Sequence, residues 1–588
     1  MCGIAGIVAP AGCRPDPHLL DRLEAALAHR GPDGSGRHCR GPVAFVQTRL
    51  SIIDLEGGRQ PILDGAGRAI VANGEIYNYI ELKAALPGIG FATGSDCEPP
   101  LHLYGRDGDA FTAALRGMYA IAIDDSVAGR VVLARDPFGI KPLYVAEGDW
   151  GVAFASEAQA LVACGLVPPI VEPQALAELL QLQFTCGTGT IFSGIRRLAP
   201  GELVVIENGR IAASRQSPPL PSGPGGTAPG RADDEAGLLD QLDRVLAGSV
   251  EMHQRADVPY GMFLSGGIDS SALLALMARL NPRPVLAFTA GFPGTAARDE
   301  REHARRLAAA VGARHVEVDF TETDFWTLLP RVAAAMDDPA ADYACLPTFK
   351  LAARARDEVK VILAGEGGDE LFGGYGRYRG AMRPWPLTRA MRRKGTFDGL
   401  GLLHPFPAGW RDRFAAAERA ARQPGRSRLQ AAQATDCADW LPNDLLIKAD
   451  RCLMANGIEG RVPFLDSRVA AFAFALPDRW KVRNGLGKWL LRRWLDRALP
   501  AALPFSPKRG FTVPVGEWMA GSPHLGPLLA KDPAIAAIAR PGAVTALFRT
   551  GDPKTSFARW TLLFYALWHR RHIRGAAPEA DVLGCLED

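Results

Sequence analysis

A glycine-rich turn with hydroxyl and carboxylate side chains is the part of this sequence best suited to hold a phosphate. It reads Ser-Gly-Gly-Ile-Asp-Ser over residues 265–270, between an apolar run at 258–264 and a helical pattern at 271–276. The pattern predicts a short buried strand before the turn and a helix after it. This order gathers backbone N–H groups and a helix N-terminus around one anion. The serine hydroxyls add donors, and Asp269 can hold a magnesium ion that bridges phosphates.

A second turn of the same character follows another predicted strand. Residues 364–370 read Ala-Gly-Glu-Gly-Gly-Asp-Glu, so glycines again bring the backbone close to a ligand, and Asp369 can complete a magnesium site with Asp269. Lys488, further along, can place positive charge on a phosphate in a transition state. No lysine follows the glycines of the 265–270 loop, which is therefore not a Walker loop. Taken alone, that loop is also compatible with an ordinary glycine-rich turn from strand to helix.

The amino terminus offers a nucleophile. Cys2 directly follows Met1, and a small residue at position two normally permits removal of the methionine. Cys2 would then carry a thiol and a free α-amine, whose pKa of roughly 7.7–8.0 leaves a neutral fraction at physiological pH. One residue would supply both the nucleophile and its base.

Three more positions complete a site for an amide substrate. Arg49 offers a guanidinium for a carboxylate, and Asp96 a carboxylate for an ammonium group. Asn73 and Gly74, after an apolar strand, offer an amide and a backbone N–H as an oxyanion hole. Together with the thiol, these groups suffice to hydrolyse the side-chain amide of glutamine. Considered separately, Arg49 and Asp96 are more simply solvated surface charges.

Five motifs of the first half resemble the class II glutamine amidotransferase domain, at residues 2–6, 30–33, 49–53, 73–78 and 135–144. The resemblance implies an αββα sandwich of the N-terminal-nucleophile hydrolase type. It also implies that the cysteine forms a glutamyl thioester and releases ammonia. The catalytic residues of this half are then Cys2, Asn73 and Gly74, and the glutamine-binding residues are Arg49, Leu50, Ser51, Ile52, Ile53, Asn73, Gly74, Glu75 and Asp96. Residues 30–33 and 135–142 are expected to be structural or interdomain.

The second half is similar to the synthetase domain of glutamine-dependent asparagine synthetases, and its 265–270 loop resembles the pyrophosphate loop of ATP pyrophosphatases. Residues 448–451, residues 459–466 and Lys488 extend the similarity along the chain. In that family ATP adenylates the β-carboxylate of aspartate, and ammonia crosses an internal tunnel and displaces AMP. Ala364 departs from the family pattern, in which serine is usual.

The resemblance assigns roles by position. Leu264, Ala290 and Gly365 line the adenine–ribose site, Glu366 manages protons at the acyl centre, and Lys488 steadies the α-phosphate. The metal ligands are Asp269 and Asp369. The ATP-binding set is Leu264, Ser265, Gly266, Gly267, Asp269, Ser270, Ala290, Ala364 and Gly365.

The elements that must position these residues divide the chain in two. Short β-type runs fill the first two hundred residues, whereas strands alternate with helices after a Pro- and Gly-rich stretch at 217–226. The alternation predicts a doubly wound parallel sheet, whose ligands bind at the carboxyl ends of the strands, and the residues after about 429 look mainly helical. We predict a glutaminase domain over 2–210, a linker over 211–235 and an ATP-dependent synthetase domain over 236–588. The fold class is α/β and α+β.

Composition excludes several classes of function. The chain has 588 residues, 47% hydrophobic and 22% charged, with a formal net charge of +3. These values predict a soluble protein of at least two domains and give no global argument for nucleic acid. Its ten cysteines show no metal-ligand spacing, and no apolar run is long enough to span a membrane. We therefore predict a cytoplasmic location and no signal peptide.

Three functions remain open from the sequence. The first is an asparagine synthetase that takes glutamine, ATP with Mg²⁺, and aspartate, with a homodimer as its assembly. The second keeps the chemistry but amidates another carboxylate, such as a uronic acid in surface polysaccharide assembly. The third is an inactive regulatory homologue, against which the intact Cys2, Asn73 and Lys488 argue. The basic stretch 377–428 matches no motif and has no predicted role.

Overall fold

The first half of the chain forms two six-stranded antiparallel sheets. The computed structural model describes residues 2–221, 234–297, 299–384, 386–405, 409–506, 512–550, 552–578 and 581–587. The strands of this half are β1 Gly3–Val8, β2 Gly34–Arg40, β3 Val43–Arg49, β4 Ile62–Leu63, β5 Arg68–Ile76, β6 Gly117–Asp125, β7 Arg130–Arg135, β8 Tyr144–Gly148, β9 Gly151–Ala155, β10 Arg196–Arg197, β11 Glu202–Glu207 and β12 Arg210–Gln216. The first sheet has the order β10-β8-β9-β1-β3-β2 and the second the order β12-β11-β7-β6-β5-β4.

Helices cover the outer faces of these sheets. They are α1 Pro17–Leu27, α2 Tyr79–Ala84, α3 Pro99–Asp107, α4 Ala158–Ala163 and α5 Pro173–Leu182. One apolar core lies between the sheets, with side chains such as Phe45 and Leu133. A second core packs α2 and α3 on one outer face, and a third packs α1, α4 and α5 on the other. The result is the predicted αββα sandwich.

Part of the predicted linker, residues 211–235, belongs to regular secondary structure. Residues 211–216 form most of β12, which pairs with β11 in the second sheet, because an isoleucine and a polar run there continue the hairpin from Glu207. Residue 235 already begins the first helix of the second half. Residues 222–233 of the predicted linker lie outside the described residues.

The second half is built on a five-stranded, all-parallel sheet with the order β15-β14-β13-β16-β17. The strands of this half are β13 Tyr260–Phe263, β14 Leu286–Gly291, β15 Arg314–Asp319, β16 Val361–Leu363, β17 Glu459–Arg461, β18 Val482–Arg483 and β19 Leu486–Gly487, the last two forming a hairpin. Apolar side chains project from both faces of the sheet, and helices packed on the two sides bury them. This is the doubly wound arrangement predicted from the strand–helix alternation.

The helices of this half run to the end of the described chain. They are α6 Glu235–His253, α7 Ile268–Leu280, α8 Arg301–Ala310, α9 Glu322–Ala335, α10 Cys345–Ala355, α11 Gly368–Phe372, α12 Gly376–Ala381, α13 Asp412–Ala421, α14 Arg428–Thr435, α15 Leu446–Met454, α16 Ser467–Ala475, α17 Asp478–Lys481, α18 Trp489–Ala498, α19 Val515–Ala520, α20 Leu525–Lys531, α21 Pro533–Ile538, α22 Pro541–Arg549, α23 Ser556–His572 and α24 Val582–Glu587. A π-helical stretch, Asp436–Leu445, joins α14 to α15. Across the described ranges, the helices are too short or too polar to span a bilayer.

Buried ion pairs join the two halves. Arg30 donates to both carboxylate oxygens of Asp450, at 2.8 and 3.1 Å, and Arg197 donates to Asp338 at 2.5 Å. Arg30 is therefore an interdomain residue, as its motif predicted. Arg135 is structural within the first half, since its guanidinium donates to the carbonyls of Lys141 at 2.8 Å and Gly139 at 2.7 Å.

Candidate active sites

The nucleophile candidate lies at the inner end of β1, between the two sheets of the first half. The backbone N of Cys2 donates to Asn73 Oδ1 over 3.2 Å, and the next N–H, of Gly3, donates to Thr48 Oγ1 over 3.1 Å. The Cys2 side chain is buried, and burial raises the pKa of its thiol. A base close to the sulfur is therefore needed to form the thiolate.

Asn73 and Gly74 reach Cys2 from β5. The Asn73 side chain is fully buried, and within the described part of the chain its Nδ2 has no hydrogen-bond partner. A buried donor without a partner is costly unless a ligand completes it, so Nδ2 is free to bind an oxyanion. At Gly74 a Cβ atom would lie 2.1 Å from the Met118 carbonyl oxygen, so only glycine lets β5 lie this close to β6 here.

The predicted carboxylate clamp is held by its own loop. Arg49 ends β3, and its guanidinium donates to the carbonyls of Leu55 at 3.1 Å and Asp54 at 2.7 Å. The loop that begins with Leu50 therefore wraps around the guanidinium and fixes its plane. These hydrogen bonds leave the Nε–H of Arg49 and some N–H groups of its two terminal nitrogens available to a ligand.

The other loop residues are anchored on both sides. Ser51 N donates to Asp33 Oδ2 at 2.8 Å, and the Ile52 carbonyl accepts from the backbone N of Asp257, in the second half, at 2.9 Å. Leu50, Ile52 and Ile53 are buried in an apolar cluster that includes residues of both halves.

The remaining glutamine-site residues are two buried carboxylates. Asp96 accepts from the backbone N of Ile76 at 2.7 Å, and Glu75 lies 3.2 Å from the guanidinium of Arg461, which belongs to the second half. Burial raises the pKa of Asp96, and burial with the nearby Glu459 raises the pKa of Glu75. A substrate ammonium would favour the ionised form of Asp96.

The phosphate loop lies where the parallel sheet predicts, at the carboxyl end of β13 and the N-terminus of α7. Ser265 Oγ and Ser270 Oγ are 3.2 Å apart, and Gly267 N donates to Ser265 Oγ at 3.3 Å. Gly266 has a φ of +67°, a conformation that L side chains rarely adopt. The loop is therefore a turn built around backbone N–H groups, as its sequence predicts.

Both predicted metal ligands face Lys488. Its Nζ contacts the Asp269 carboxylate and lies 2.8 Å from Asp369 Oδ1. Although burial lowers it, the two carboxylates raise the pKa of Lys488 to about 12. A Cβ at Gly374 would lie 1.8 Å from Asp369 Oδ1 and 2.3 Å from Lys488 Cε, so glycine makes room for this contact.

The carboxylates of Asp269 and Asp369 are hard oxygen donors that lie around the same positive charge, that of Lys488. A pair of carboxylates of this kind suits magnesium. Mg²⁺ is usually held by one or two carboxylates together with substrate phosphates. A Cβ at Gly368 would lie 2.4 Å from Asp269 Oδ1, so glycine again gives the carboxylate space. Asp269 and Asp369 thus fit a metal that arrives with a nucleotide.

The loop, the second glycine turn and the metal ligands border one cavity of about 580 Å³. Its lining includes most of the predicted synthetase residues, namely Leu264, Ser265, Gly267, Asp269, Ser270, Ala290, Ala364, Gly365, Glu366 and Asp369. Gly266 is not part of the lining and instead shapes the loop. The cavity has the size of an ordinary small-molecule site.

Other lining residues were missed by sequence reasoning. They include Thr289, Asp342, Tyr343, Trp440 and Asp444, and Lys448 stands among them although its motif carried no predicted role. Asp342 belongs to a run of acidic residues after α9, and Asp444 precedes the Lys448 motif by four positions. These were the only signals in the sequence, and neither distinguishes a ligand contact from a structural charge.

Two family models and several known proteins match this chain. The asparagine synthase family model matches residues 241–570, and the glutamine amidotransferase domain model matches residues 1–216. A putative glutamine-hydrolysing asparagine synthetase of Mycobacterium tuberculosis H37Rv is 36% identical over 97% of both chains. Asparagine synthetase [glutamine-hydrolyzing] 1 of Bacillus subtilis is 30% identical, again over 97% of both chains.

A solved structure of the allosteric regulatory enzyme of purine biosynthesis aligns with 54% of this chain and 80% of its own, with 17% identity and a TM-score of 0.30. The sequence relatives extend across both halves, and each half has its own family model. The chain therefore belongs to the glutamine-hydrolysing asparagine synthetase family.

Proposed function

We propose that this enzyme transfers the amide nitrogen of glutamine to the side-chain carboxylate of aspartate, with cleavage of ATP to AMP and pyrophosphate. The family uses ATP as a substrate. The observation that carries the proposal is the pairing, in one chain, of a buried Cys2 facing the unpartnered Asn73 Nδ2 with a phosphate cavity bordered by Asp269 and Asp369.

In the first half, the Cys2 sulfur attacks the side-chain carbonyl carbon of glutamine. The α-amine exposed by removal of Met1 takes the thiol proton. Asn73 Nδ2 and the Gly74 N–H stabilise the negative charge on the tetrahedral oxygen. Arg49 and Asp96 hold the α-carboxylate and α-ammonium of the substrate. The α-ammonium returns the proton to the amide nitrogen, ammonia leaves as the thioester forms, and water then hydrolyses the thioester to glutamate and the free thiol.

In the second half, the acceptor carboxylate attacks the α-phosphorus of ATP, and pyrophosphate leaves. The 265–270 loop binds the leaving pyrophosphate, and Lys488 lowers the cost of negative charge on the phosphate. Bound magnesium, held by Asp269 and Asp369, would neutralise phosphate charge. Ammonia then attacks the acyl adenylate, AMP leaves, and Glu366 accepts the proton released by the nitrogen.

Purified enzyme with glutamine, ATP and magnesium tests the proposal. Addition of L-aspartate should stimulate release of AMP, and mass spectrometry should detect asparagine in equal amount. Glutaminase activity without asparagine would contradict aspartate as the acceptor. A uronic acid that stimulates AMP release instead would establish the second candidate, and a chain with neither activity the third.

We also propose a cytoplasmic homodimer. All ten cysteines are free in the structure, as is usual in a reducing compartment. Sedimentation of the purified protein tests the assembly, and fractionation of cells that produce it tests the location.

A further inference from the structure

Three polar atoms in the wall of the ATP cavity have no partner. Within the described part of the chain, Glu366 Oε2, Trp440 Nε1 and Asp444 Oδ1 are buried and make no hydrogen bond. All three residues line the same cavity. Buried polar atoms are normally paired, and an unpaired one is destabilising. Three in one wall therefore indicate a polar ligand that completes them.

The charges of this wall favour a cationic group on that ligand. Asp342, Glu366 and Asp444 supply three carboxylates, and the lining contains no arginine. Lys448 is the cation among them, and its Nζ is bound to Asp342 at 2.7 Å. Asp444 makes no such contact. Lys448, Arg392 and Arg377 act on Asp444 only at longer range. A buried carboxylate without a direct cationic partner is unfavourable in its charged form, so a positive ligand atom is the natural complement of Asp444.

The backbone holds this wall in place. Trp440 and Asp444 belong to the π-helical stretch, a rare geometry that often marks functional sites. Asp439, one residue before Trp440, accepts from the backbone N of Gly187 at 2.8 Å and from Asn443 Nδ2 at 2.6 Å. The guanidinium of Arg392 stacks 3.6 Å from the Trp440 ring. The unpartnered atoms are therefore rigidly presented to the cavity.

We propose that Asp444 binds an ammonium group of the acceptor, and that the enzyme thereby selects amino acids over carboxylates that lack an amine. Trp440 Nε1 and Lys448 then receive the acceptor's second carboxylate, and the carboxylate to be activated lies toward Glu366. This inference rests on the proposed function and names the group that recognises the acceptor. A uronic acid offers only hydroxyls to Asp444 and brings no cation into direct contact with it.

Acceptors that differ only in the amine test the proposal. Succinate is aspartate without its ammonium group, and N-acetyl-aspartate has the amine blocked. The wild-type enzyme should amidate each at least 100-fold less efficiently than aspartate, by kcat/KM. The variant Asp444→Asn should raise the KM for aspartate at least tenfold and reduce the discrimination against succinate at least tenfold. Its glutaminase activity should stay within twofold of wild type.

The matched control is Asp532→Asn, which removes a buried carboxylate that caps α21, outside the cavity. Its discrimination between aspartate and succinate should equal that of wild type, whatever its stability. Loss of discrimination is a readout that misfolding does not produce. An Asp444→Asn variant that keeps full discrimination would overturn the proposal, as would efficient amidation of succinate by the wild type.

Failure of the proposed function can be distinguished experimentally from failure of this inference. If aspartate is inactive, a panel of carboxylic acids with and without an amine, scored by AMP release and by calorimetric binding, still decides the inference. An active or bound acceptor with an amine supports it. Activity on a uronic acid, or a panel in which no amine-bearing acid binds, overturns it.

Discussion

The two active sites solve opposite problems. The proposed glutaminase site is closed: Cys2, Asn73 and Asp96 are all buried, and they lie on or beside strands of antiparallel sheets. The synthetase site is a cavity of about 580 Å³ at the edge of a parallel sheet, bordered by glycine turns. A closed site suits one small substrate that becomes covalently attached, whereas an open one must admit a nucleotide, a metal and an acceptor. The first site therefore depends on rigidly held, buried side chains, and the second depends on an open volume.

Charge is handled differently as well. In the glutaminase site, burial raises the pKa of the groups that must ionise, so each depends on its substrate or on a neighbouring base. In the synthetase site, Lys488 already lies between Asp269 and Asp369. These charges are paired before any ligand arrives, and a nucleotide with its metal would have to rearrange them. The first site is completed by its substrate, and the second is reorganised by it.

The sharpest test of this separation is Cys2→Ala. Glutamine hydrolysis and glutamine-dependent synthesis should fall on the order of 10³-fold or more, because the nucleophile is lost. Synthesis from added ammonium chloride should stay within about twofold of wild type, since the cavity is unchanged. Both rates are measured by AMP release. An equal loss of the ammonium-dependent rate would mean that the two sites are not independent.

The converse variants are Asp269→Asn and Asp369→Asn. Each removes a carboxylate from Lys488 and from the proposed metal site, so ATP cleavage should fall by roughly 100-fold or more. Hydrolysis of glutamine should persist, and thioester formation at Cys2 can be followed by mass spectrometry. The wild-type products should be AMP and pyrophosphate. Detection of ADP and phosphate would refute the assigned chemistry.

A third variant acts on the joint between the halves. Arg451 donates to Asp337 at 2.6 Å and to Asp450 at 2.8 Å, both in its own half. It also reaches across to the first half, where it donates to Tyr144 Oη at 3.3 Å and to the Ser156 carbonyl at 3.4 Å, all within the protein interior. Arg451→Met leaves both carboxylates without this cation and should cost about 3–5 kcal/mol of unfolding free energy. Urea denaturation should show both activities lost together at a lower midpoint.

The control for this variant is Arg279→Gln, which breaks an exposed ion pair with Asp243 of 2.8 Å. Its midpoint should stay close to that of wild type, because exposed pairs contribute little. If Arg451→Met unfolded in two separate steps, the halves would be independent folding units.

The smallest expected effect is a dependence of acceptor binding on pH. Burial, with Asp342 adding to it and Lys448, Arg392 and Arg377 opposing, raises the pKa of Asp444 to about 8. Below that pH the carboxyl is neutral, and an ammonium group must displace its proton to bind. The KM for aspartate should therefore fall as pH rises, by about eightfold between about pH 7 and 8.5 for one such group. The Asp444→Asn variant should flatten this profile, and a KM that rises with pH would contradict the assignment.

The sequence was sufficient wherever a site is built from consecutive residues. The 265–270 loop, its flanking strand and helix, and the Asn73–Gly74 pair follow from local patterns of apolar residues and glycines. The αββα sandwich was expected from the family resemblance of the first half. Lys488 was assigned to a phosphate, and the structure places it beside both predicted metal ligands. Because Lys488 and Asp269 are far apart in the sequence, their contact could not be predicted from it.

Convergence across the fold could not be predicted. Asp342 comes from one segment, and Trp440 and Asp444 from another; they meet only because α10, α15 and the π-helical stretch pack on the same sheet edge. Such contacts depend on tertiary packing, to which local periodicity is blind. The strand within the predicted linker was missed for a related reason, since the pairing of β12 with β11, more than its own composition, makes residues 210–216 a strand.

The buried arginines between the halves also bear on how such a protein can be assembled from parts. Arg30 contacts Glu157 of its own half and Asp450 of the other, each at 2.8 Å. A glutaminase half transplanted onto a different synthetase would carry this guanidinium into an interface that lacks its second acid. Exchange of modules, in evolution or in the laboratory, must therefore move the Asp450–Arg451 pair together with the amino-terminal half. The group of residues that must be inherited together is the one that pairs across the interface, more than either domain as a whole.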